Sequence, residues 1–339
     1  MVTIKDIARE AGVSVTSVSR FFNNRRLLSA ESCSRIEAVV EKYGYTPNSM
    51  GRSLRLARSG KVLVLLPTME NPMYLKILSA IENECYQYGL TVLACDTHDD
   101  SFKEKHLLAM LTNHYADGAI LFSSALASQE LSIAAKRLPL VLCCEQREDA
   151  AVSSVSIDDR AAAFEAVEYL IRKGHSRIAM ASGRENYGST ALREQGYAEA
   201  LKKYGLNVRK DYILRGDYGY RSGMAAAQKV FGMEPMPSAL FCVSDAVAVG
   251  AARIAVLEKK SLSIIGFDNT SITGMFLPGI TSVAQPRAEM GKAAVELLMA
   301  RMENIKQPPQ KRFLPHSLVV RESTEGMQQE YFRASSVQE

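Results

Sequence analysis

Hydrophobic positions along this chain follow two different rhythms, one over the first 45 residues and another from residue 60 onward. Ile4, Ile7, Ala8 and Ala11 recur at helical spacing, Gly12-Val13-Ser14 interrupts them, and a second run extends from Val15 to Phe22. In that second run Val18, Phe21 and Phe22 fall on one face, and Val15, Thr16, Ser19 and Arg20 largely on the other. A helix, a tight glycine turn and a second helix predict a helix-turn-helix. Gly12 can take the positive φ that reverses the chain, Val13 can plug the angle between the helices, and Ser14 is a good N-cap. Short polar groups with one arginine suit a major-groove edge, where Arg can bridge guanine O6 and N7 and Thr or Val can touch a thymine methyl. On the turn alone, an ordinary helical hairpin at the edge of a larger domain is the alternative. A third helix is expected from an N-cap at Ser29 to Tyr43-Gly44-Tyr45, with Ile36, Val39 and Val40 facing inward. Such a unit, about 45 residues long, is barely large enough to bury its own core.

Residues 47–59 are basic and too poor in apolar side chains to fold alone. They read as a hinge that becomes helical only on DNA, with Leu54 as a wedge between base pairs in the minor groove and Arg52, Arg55 and Arg58 on phosphates. A plain solvated linker is the alternative.

From residue 60 the pattern alternates between short apolar runs and amphipathic ones. Strands are predicted at Val62 to Leu66, Thr91 to Cys95, Gly118 to Phe122 and Leu140 to Cys143, and helices at Leu75 to Tyr88, Lys103 to Asn113 and Ser128 to Arg137. After Asp158 the pattern restarts, with a helix through Ile171, a strand at Arg177 to Ala181, a helix from Thr190 to Tyr204, and strands at Ala239 to Val243 and Ser263 to Phe267. This rhythm demands parallel sheets with right-handed crossovers. The fold class expected is α/β: a three-helix headpiece followed by two doubly wound parallel-sheet subdomains with a cleft between them. Ligands in such sheets sit beyond the carboxyl ends of the strands. Those ends present Thr68 through Tyr74, Ser123-Ser124, Glu145, Ser182 to Tyr187, Ser244-Asp245 and Asp268-Asn269. Carboxylates accept from sugar hydroxyls, arginine donates to ring or carbonyl oxygens, and aromatic rings stack on a sugar or base. For each acidic residue a loop cap or an inter-subdomain salt bridge is the competing role.

Charge sharpens the division. Residues 1–60 carry ten Lys/Arg against five Asp/Glu, a net of +5, while the whole chain is +4, so residues 61–339 sum to −1. Positive charge is concentrated where phosphates would be met. No apolar stretch is long enough to span a membrane and the N-terminus lacks a signal-peptide core, so a cytoplasmic location is expected, with no membrane partner. The six cysteines show no C-x-x-C pair and no zinc spacing. They read as buried small hydrophobes, and the adjacent Cys143 and Cys144 are poorly placed for a mutual disulfide. His98, His106 and His114 lack the spacing of a helical metal pair, so no metal and no cofactor are expected. No nucleophile elbow, phosphate loop or dinucleotide fingerprint is present, which disfavours an enzyme. A transporter's solute-binding protein would share the core but has no use for the headpiece.

The segments TIKDIAREAGVSVTSVSRFFNN, GYTPNSMGRSL, GHSRIA, LREQGYAEAL, FCVSDAVAVGA, LSIIGFDN and ITSVAQP, in this order and spacing, resemble the lactose repressor family from end to end. The resemblance implies a headpiece over 1–46, a hinge over 47–59 and an effector-binding, dimerising core over 60–339. Its first subdomain would take about 60–159 and 287–318, its second about 160–286 and 319–330. It implies a homodimeric repressor on a palindromic double-stranded operator, controlled by a small-molecule effector. By position Val15, Thr16 and Arg20 match the family's base readers, Ser19 and Asn23 join the DNA-facing set, and Leu54 matches the wedge, flanked by Arg52 and Arg55. Met73 and Tyr74 match its ligand-stacking pair, Ser124 a hydroxyl contact, Arg193 the ligand-binding arginine, and Tyr218 an aromatic lid. Asp245 and Asp268 match polar contacts from the second subdomain, and Glu145 stands beside them as a candidate.

Three departures bear on the effector. Where purine repressors carry a further arginine six residues before the one matched by Arg193, this chain has Tyr187, which disfavours a guanine or hypoxanthine corepressor. The family's frequent Asp or Asn at the end of the fourth strand is Cys144, followed by Glu145. That feature, the MGR hinge, Gly216-Asp217-Tyr218 and GFDN look most like the cytidine repressor branch, so a nucleoside is expected first and a pentose or other small sugar next. The stretch from Ala252 to Leu262 is also short, without the Gly and Val-Pro that normally close the helix there.

Overall fold

The computed structural model describes residues 2–45, 58–185 and 187–325. It divides into two compact units at Ser59/Gly60. The hinge residues Arg52, Leu54 and Arg55 lie outside the described residues.

In the first unit every helix start is written into the local sequence. Helix α1 (Ile4–Glu10) begins with a capping box in which Thr3 N donates to Asp6 Oδ2 at 3.0 Å and Asp6 N to Thr3 Oγ1 at 3.4 Å. Helix α2 (Val15–Asn23) and helix α3 (Ala30–Tyr43) are capped by Ser14 and Ser29, which accept from the backbone N–H three residues on. The turn between α1 and α2 is made by Gly12 at φ +63°, a conformation that costs most other residues. Ile7, Ala8, Ala11, Val18, Phe21 and Ile36 close a small core. Glu10 ties α1 to the end of α3, accepting from Lys42 Nζ at 2.6 Å and Tyr43 Oη at 2.5 Å.

The second unit holds two six-stranded sheets. The first has the order β11-β5-β4-β3-β1-β2, with β1 Lys61–Leu66, β2 Thr91–Asp96, β3 Gly118–Leu121, β4 Leu140–Cys143, β5 Ser153–Ile157 and β11 Lys311–Leu314, all parallel. The second has the order β12-β10-β9-β8-β6-β7, with β6 Ile178–Ser182, β7 Ile213–Arg215, β8 Ala239–Cys242, β9 Ser263–Asp268 and β10 Thr281–Ala284 parallel, and β12 Ser317–Val319 antiparallel at the edge. Strand β1 shows why the sheets are apolar on both faces. Val62, Val64 and Leu66 pack under α4 (Pro72–Gln87) and the returning helix Arg287–Glu303, while Leu63 and Leu65 pack under helices Ser101–Thr112 and Ser128–Arg137.

The chain crosses between sheets three times, after β5, after β10 and between β11 and β12. The last crossing falls at Pro315-His316, two residues earlier than the expected 318/319 boundary, because Ser317 and Leu318 already pair with Ala284 and Val283. The shortened stretch from Ala252 to Leu262 folds without its usual closing residues. Helix Asp245–Leu257 ends there, Lys259 takes φ +51° where a glycine would be at ease, and Leu262 is fully buried as the chain enters β9.

Candidate functional site

Two surfaces carry the candidate residues. On the headpiece, the buried positions Val18 and Phe21 turn α2 so that Val15, Thr16 and Arg20 are exposed on one face, with Ser19 half-buried between them. Asn23 is the last residue of that helix. Three neutral or cationic side chains over the first two turns suit an anionic, edge-presenting partner.

The second surface is the cleft between the two sheets, at the carboxyl ends of β1, β4, β6, β8 and β9. Asn71 caps α4, its Oδ1 accepting from Met73 N at 3.0 Å, and this fixes Met73 and Tyr74 in the first turn. Met73 is buried. Gln285 reaches it from the second crossing, its Nε2 standing 3.8 Å from Met73 Sδ and donating to Asp268 Oδ1 at 2.7 Å. Met73 and Asp268, from opposite sheets, are thereby brought together. Tyr74 meets Phe122 edge-on at 5.3 Å between ring centroids. Burial raises its phenol well above the ordinary range, and the charges that Cys144, Tyr187, Tyr218 and Asp268 can carry add to the rise.

Arg193 lies at the floor. Its Nε and Nη2 stand 2.8 and 2.7 Å from Asp159 Oδ1, its Nη1 donates to the carbonyl of Val243, and its guanidinium lies 3.5 Å over the ring of Phe267. Burial opposes its charge, and the paired Asp159 carboxylate more than offsets that and keeps the arginine protonated. Tyr218 closes over it, with its hydroxyl 2.9 Å from Thr190 Oγ1 and 3.1 Å from Ser189 Oγ, and its ring edge-on to Tyr187 at 5.5 Å. Asp268, at φ +107°, is pushed up to about 8 by burial, and the charges of Arg193 and Asp245 work on it in opposite directions.

Ser124 and Glu145 sit in a separate buried network at the end of β3 and β4. Ser124 Oγ donates to Glu104 Oε1 at 2.5 Å, Ser124 N to Glu145 Oε2 at 2.9 Å, and Arg147 Nε to Glu145 Oε1 at 3.0 Å. Burial raises both carboxyls. Asp245 is occupied elsewhere. Its Oδ2 accepts from Thr270 N at 2.5 Å and Thr270 Oγ1 at 2.8 Å, and its Oδ1 from Ser282 Oγ at 2.5 Å, so it staples the loop after β9 to strand β10.

Asp159, Gln285 and Glu104, which complete these networks, lie outside the residues that the strand-end rule selects. Asp159 carried a usable signal, since it follows the carboxyl end of β5, but β5 reads Ser-Ser-Val-Ser-Ile and was not counted as a strand.

A family model described as bacterial regulatory proteins, lacI family, matches residues 3–48, and one described as periplasmic binding proteins and sugar binding domain of the LacI family matches residues 59–321. This chain belongs to the lactose repressor family. The HTH-type transcriptional repressor CytR of Escherichia coli K12 is 34% identical over 331 residues, covering 96% of this chain and 97% of that protein. Catabolite control protein A of Priestia megaterium is 34% identical over 329 residues, covering 95% and 99%. Among solved structures, a complex of the transcriptional regulator CelR with cellobiose aligns with TM-score 0.71 at 26% identity, over 95% of this chain and all of that one. The lac repressor dimer bound to operator and the anti-inducer ONPF aligns with TM-score 0.84 at 24% identity, over 95% and 99%, and shows the same fold. The family and its α/β architecture therefore stand as expected, with the repressor CytR among the relatives. As a member of the lactose repressor family the protein is a DNA-binding transcriptional regulator with a ligand-binding core, and its named relatives include a transcriptional repressor. No helix among the described residues is long and apolar enough to cross a membrane.

Proposed function

We propose that this regulator is a homodimeric repressor that reads a palindromic operator through two headpieces and is controlled by a nucleoside of the cytidine type. The observation that carries the effector reading is the aromatic lining of the cleft. Tyr187 and Tyr218 meet edge-on at 5.5 Å, the Arg193 guanidinium lies 6.0 Å from the centre of the Tyr218 ring, and Tyr74 is set edge-on against Phe122. Flat rings favour a planar base, and the arginine and carboxyl suit a carbonyl and hydroxyls. In this reading Met73, Tyr74, Arg193, Tyr218 and Asp268 meet the ligand, while Ser124 and Glu145 act through the loop they hold. Asp245 is left out because its acceptors are occupied within the protein.

On DNA, Val15, Thr16, Ser19, Arg20 and Asn23 read or line the major groove, Leu54 wedges the minor groove, and Arg52 and Arg55 meet phosphates. A dimer is favoured physically because one small headpiece binds weakly, and two held in register multiply their affinities through effective concentration. Closure of the cleft around the effector shifts the spacing of the paired first subdomains and so changes operator affinity.

A thermal-shift screen of the full-length protein against nucleosides, bases, pentoses and hexoses tests this. A ligand at a hundred times its Kd adds about 2.7 kcal/mol of stability. A shift with cytidine and a matching change in operator affinity are expected. A shift with a sugar alone would overturn the nucleoside reading while leaving the regulator intact.

A further inference from the structure

Asp99 stands at the mouth of the cleft on the loop between β2 and the helix Ser101–Thr112. Both it and His98 have φ +56°, and two consecutive non-glycine residues in the left-handed region are rare. The surroundings impose this curl. Asp96 Oδ1 accepts from His98 N at 2.8 Å, Asp96 Oδ2 from Met69 N at 3.1 Å, and Thr97 donates to Leu66 O from both its backbone N–H, at 2.7 Å, and its hydroxyl, at 3.1 Å. Strain that is over-determined in this way persists where a side chain must be aimed.

The side chain so aimed crosses to the second subdomain. Asp99 Oδ2 accepts from the Tyr187 hydroxyl and from Arg184 Nη1 at 3.2 Å. Burial keeps the Tyr187 phenol protonated, so it remains a donor. Tyr187 in turn packs edge-on against Tyr218, whose hydroxyl rests on Ser189 and Thr190. We propose that Asp99 is a positioning residue of the effector cleft: it clasps Tyr187 and Arg184 across the mouth, holds Tyr187 against Tyr218 as one aromatic wall, and limits how fast a bound ligand leaves. The link to ligand release rests on the cleft reading above. The clasp itself does not.

The test uses full-length protein with Asp99→Ala, Asp99→Asn, Tyr187→Phe and the Asp99→Ala/Tyr187→Phe pair. Without ligand, hydrogen exchange at the Thr190 amide, which donates to the Tyr187 carbonyl at 3.1 Å, reports loosening of the clasped segment at the mouth. Asp99→Ala is expected to speed it roughly tenfold, the loss of a hydrogen bond to a charged group, with amides of helix Asp159–Arg172 unchanged. Asp99→Asn keeps an acceptor and should fall between Asp99→Ala and wild type. The double variant should exchange no faster than Asp99→Ala, since the bond that Tyr187→Phe removes is one that Asp99→Ala has already removed. With cytidine as probe, dissociation from Asp99→Ala should also be roughly tenfold faster, because losses at a buried contact fall on the off-rate. Unchanged exchange at Thr190, or fully additive single variants, overturns the clasp even where cytidine binds normally. Faster exchange in Asp99→Ala, in a protein whose wild type ignores cytidine, upholds the clasp and overturns only the nucleoside reading.

Discussion

Replacing Arg193 with alanine should remove the effector response and also weaken the core, and the second effect can be separated from the first. Arg193 is 5% exposed and its partner Asp159 2% exposed, so truncation leaves a carboxylate buried without its counter-charge. Burial already raises the Asp159 carboxyl, and the arginine is what opposes that rise. Breaking a buried ion pair from one side costs about 3–5 kcal/mol, most of it the penalty of the orphaned charge. Adding Asp159→Asn removes that charge while keeping the shape, and should recover about 1–3 kcal/mol of the loss. Urea denaturation at pH 7 followed by circular dichroism measures both steps. Cytidine-induced thermal shifts on the folded double variant then isolate the ligand role, which should be absent. If Arg193→Ala lies within about 1 kcal/mol of wild type, or the double variant is no more stable than the single, the pair does not organise the floor of the cleft. A normal cytidine shift in the double variant removes Arg193 from the ligand set.

Stability should fall as pH rises from about 4 toward 8, since burial pushes Asp268 up to about 8 and Asp245 to about 6, so the native state keeps protons that the unfolded chain gives up. Asp268→Asn should flatten the Tm profile between pH 6 and 8, and an unaltered slope would show that this carboxyl does not titrate there. Arg20→Ala should cost about 1–3 kcal/mol on the preferred operator and relax discrimination at one position of each half-site, measured by anisotropy on a set of single-base variants. Equal losses on all sequences would reduce Arg20 to a phosphate contact. Gly196→Ala would place a Cβ 2.1 Å from the Arg160 carbonyl oxygen and 2.9 Å from Phe164 N, both backbone atoms of the helix packed against it, and should lower stability by about 1–3 kcal/mol or more. An unchanged melting temperature would mean that the two helices part easily.

The headpiece was readable because its determinants are local. Thr3, Ser14 and Ser29 accept from backbone N–H groups within three residues, and Gly12 and Gly44 sit at φ +63° and +55° where turns need them. Central strands such as β1 and β8 were readable as apolar runs bounded by turns. Strand β5 was not, because Ser153, Ser154 and Ser156 are all nearly fully buried and their polarity suggests a loop. The loops at the strand ends could be named from the alternation of elements, but their hydrogen-bond partners could not. Arg193 and Asp159 are 34 residues apart, Asp268 and Gln285 17, and Tyr187 and Asp99 88, and it takes the packing of two helices, the pairing of β9 with β10 and the approach of the two subdomains, respectively, to bring them together. Asp245 shows the opposite limit, since a carboxylate after a strand reads equally as a ligand contact or a staple, and its distance from Thr270 and Ser282 decides for the staple.

The three crossings between the sheets also explain how a small ligand could move so large a body. Each crossing delivers a side chain to the second subdomain: Asp159 to Arg193, Gln285 to Asp268, and His316 Nε2 to Glu165 at 3.1 Å, while Arg287 Nη1 donates to the Asp268 carbonyl at 3.2 Å. A ligand that engages Arg193 or Asp268 must therefore redistribute hydrogen bonds held by hinge residues. Reversing a two-state equilibrium from 1:99 to 99:1 needs about 10⁴-fold preferential binding. In the proposed dimer, with one cleft in each protomer, that is about a hundredfold per site, or about 2.7 kcal/mol. A single hydrogen bond to a charged group is worth about 1.5–3 kcal/mol, so one re-paired contact at the hinge of each protomer is enough to switch the operator-binding state.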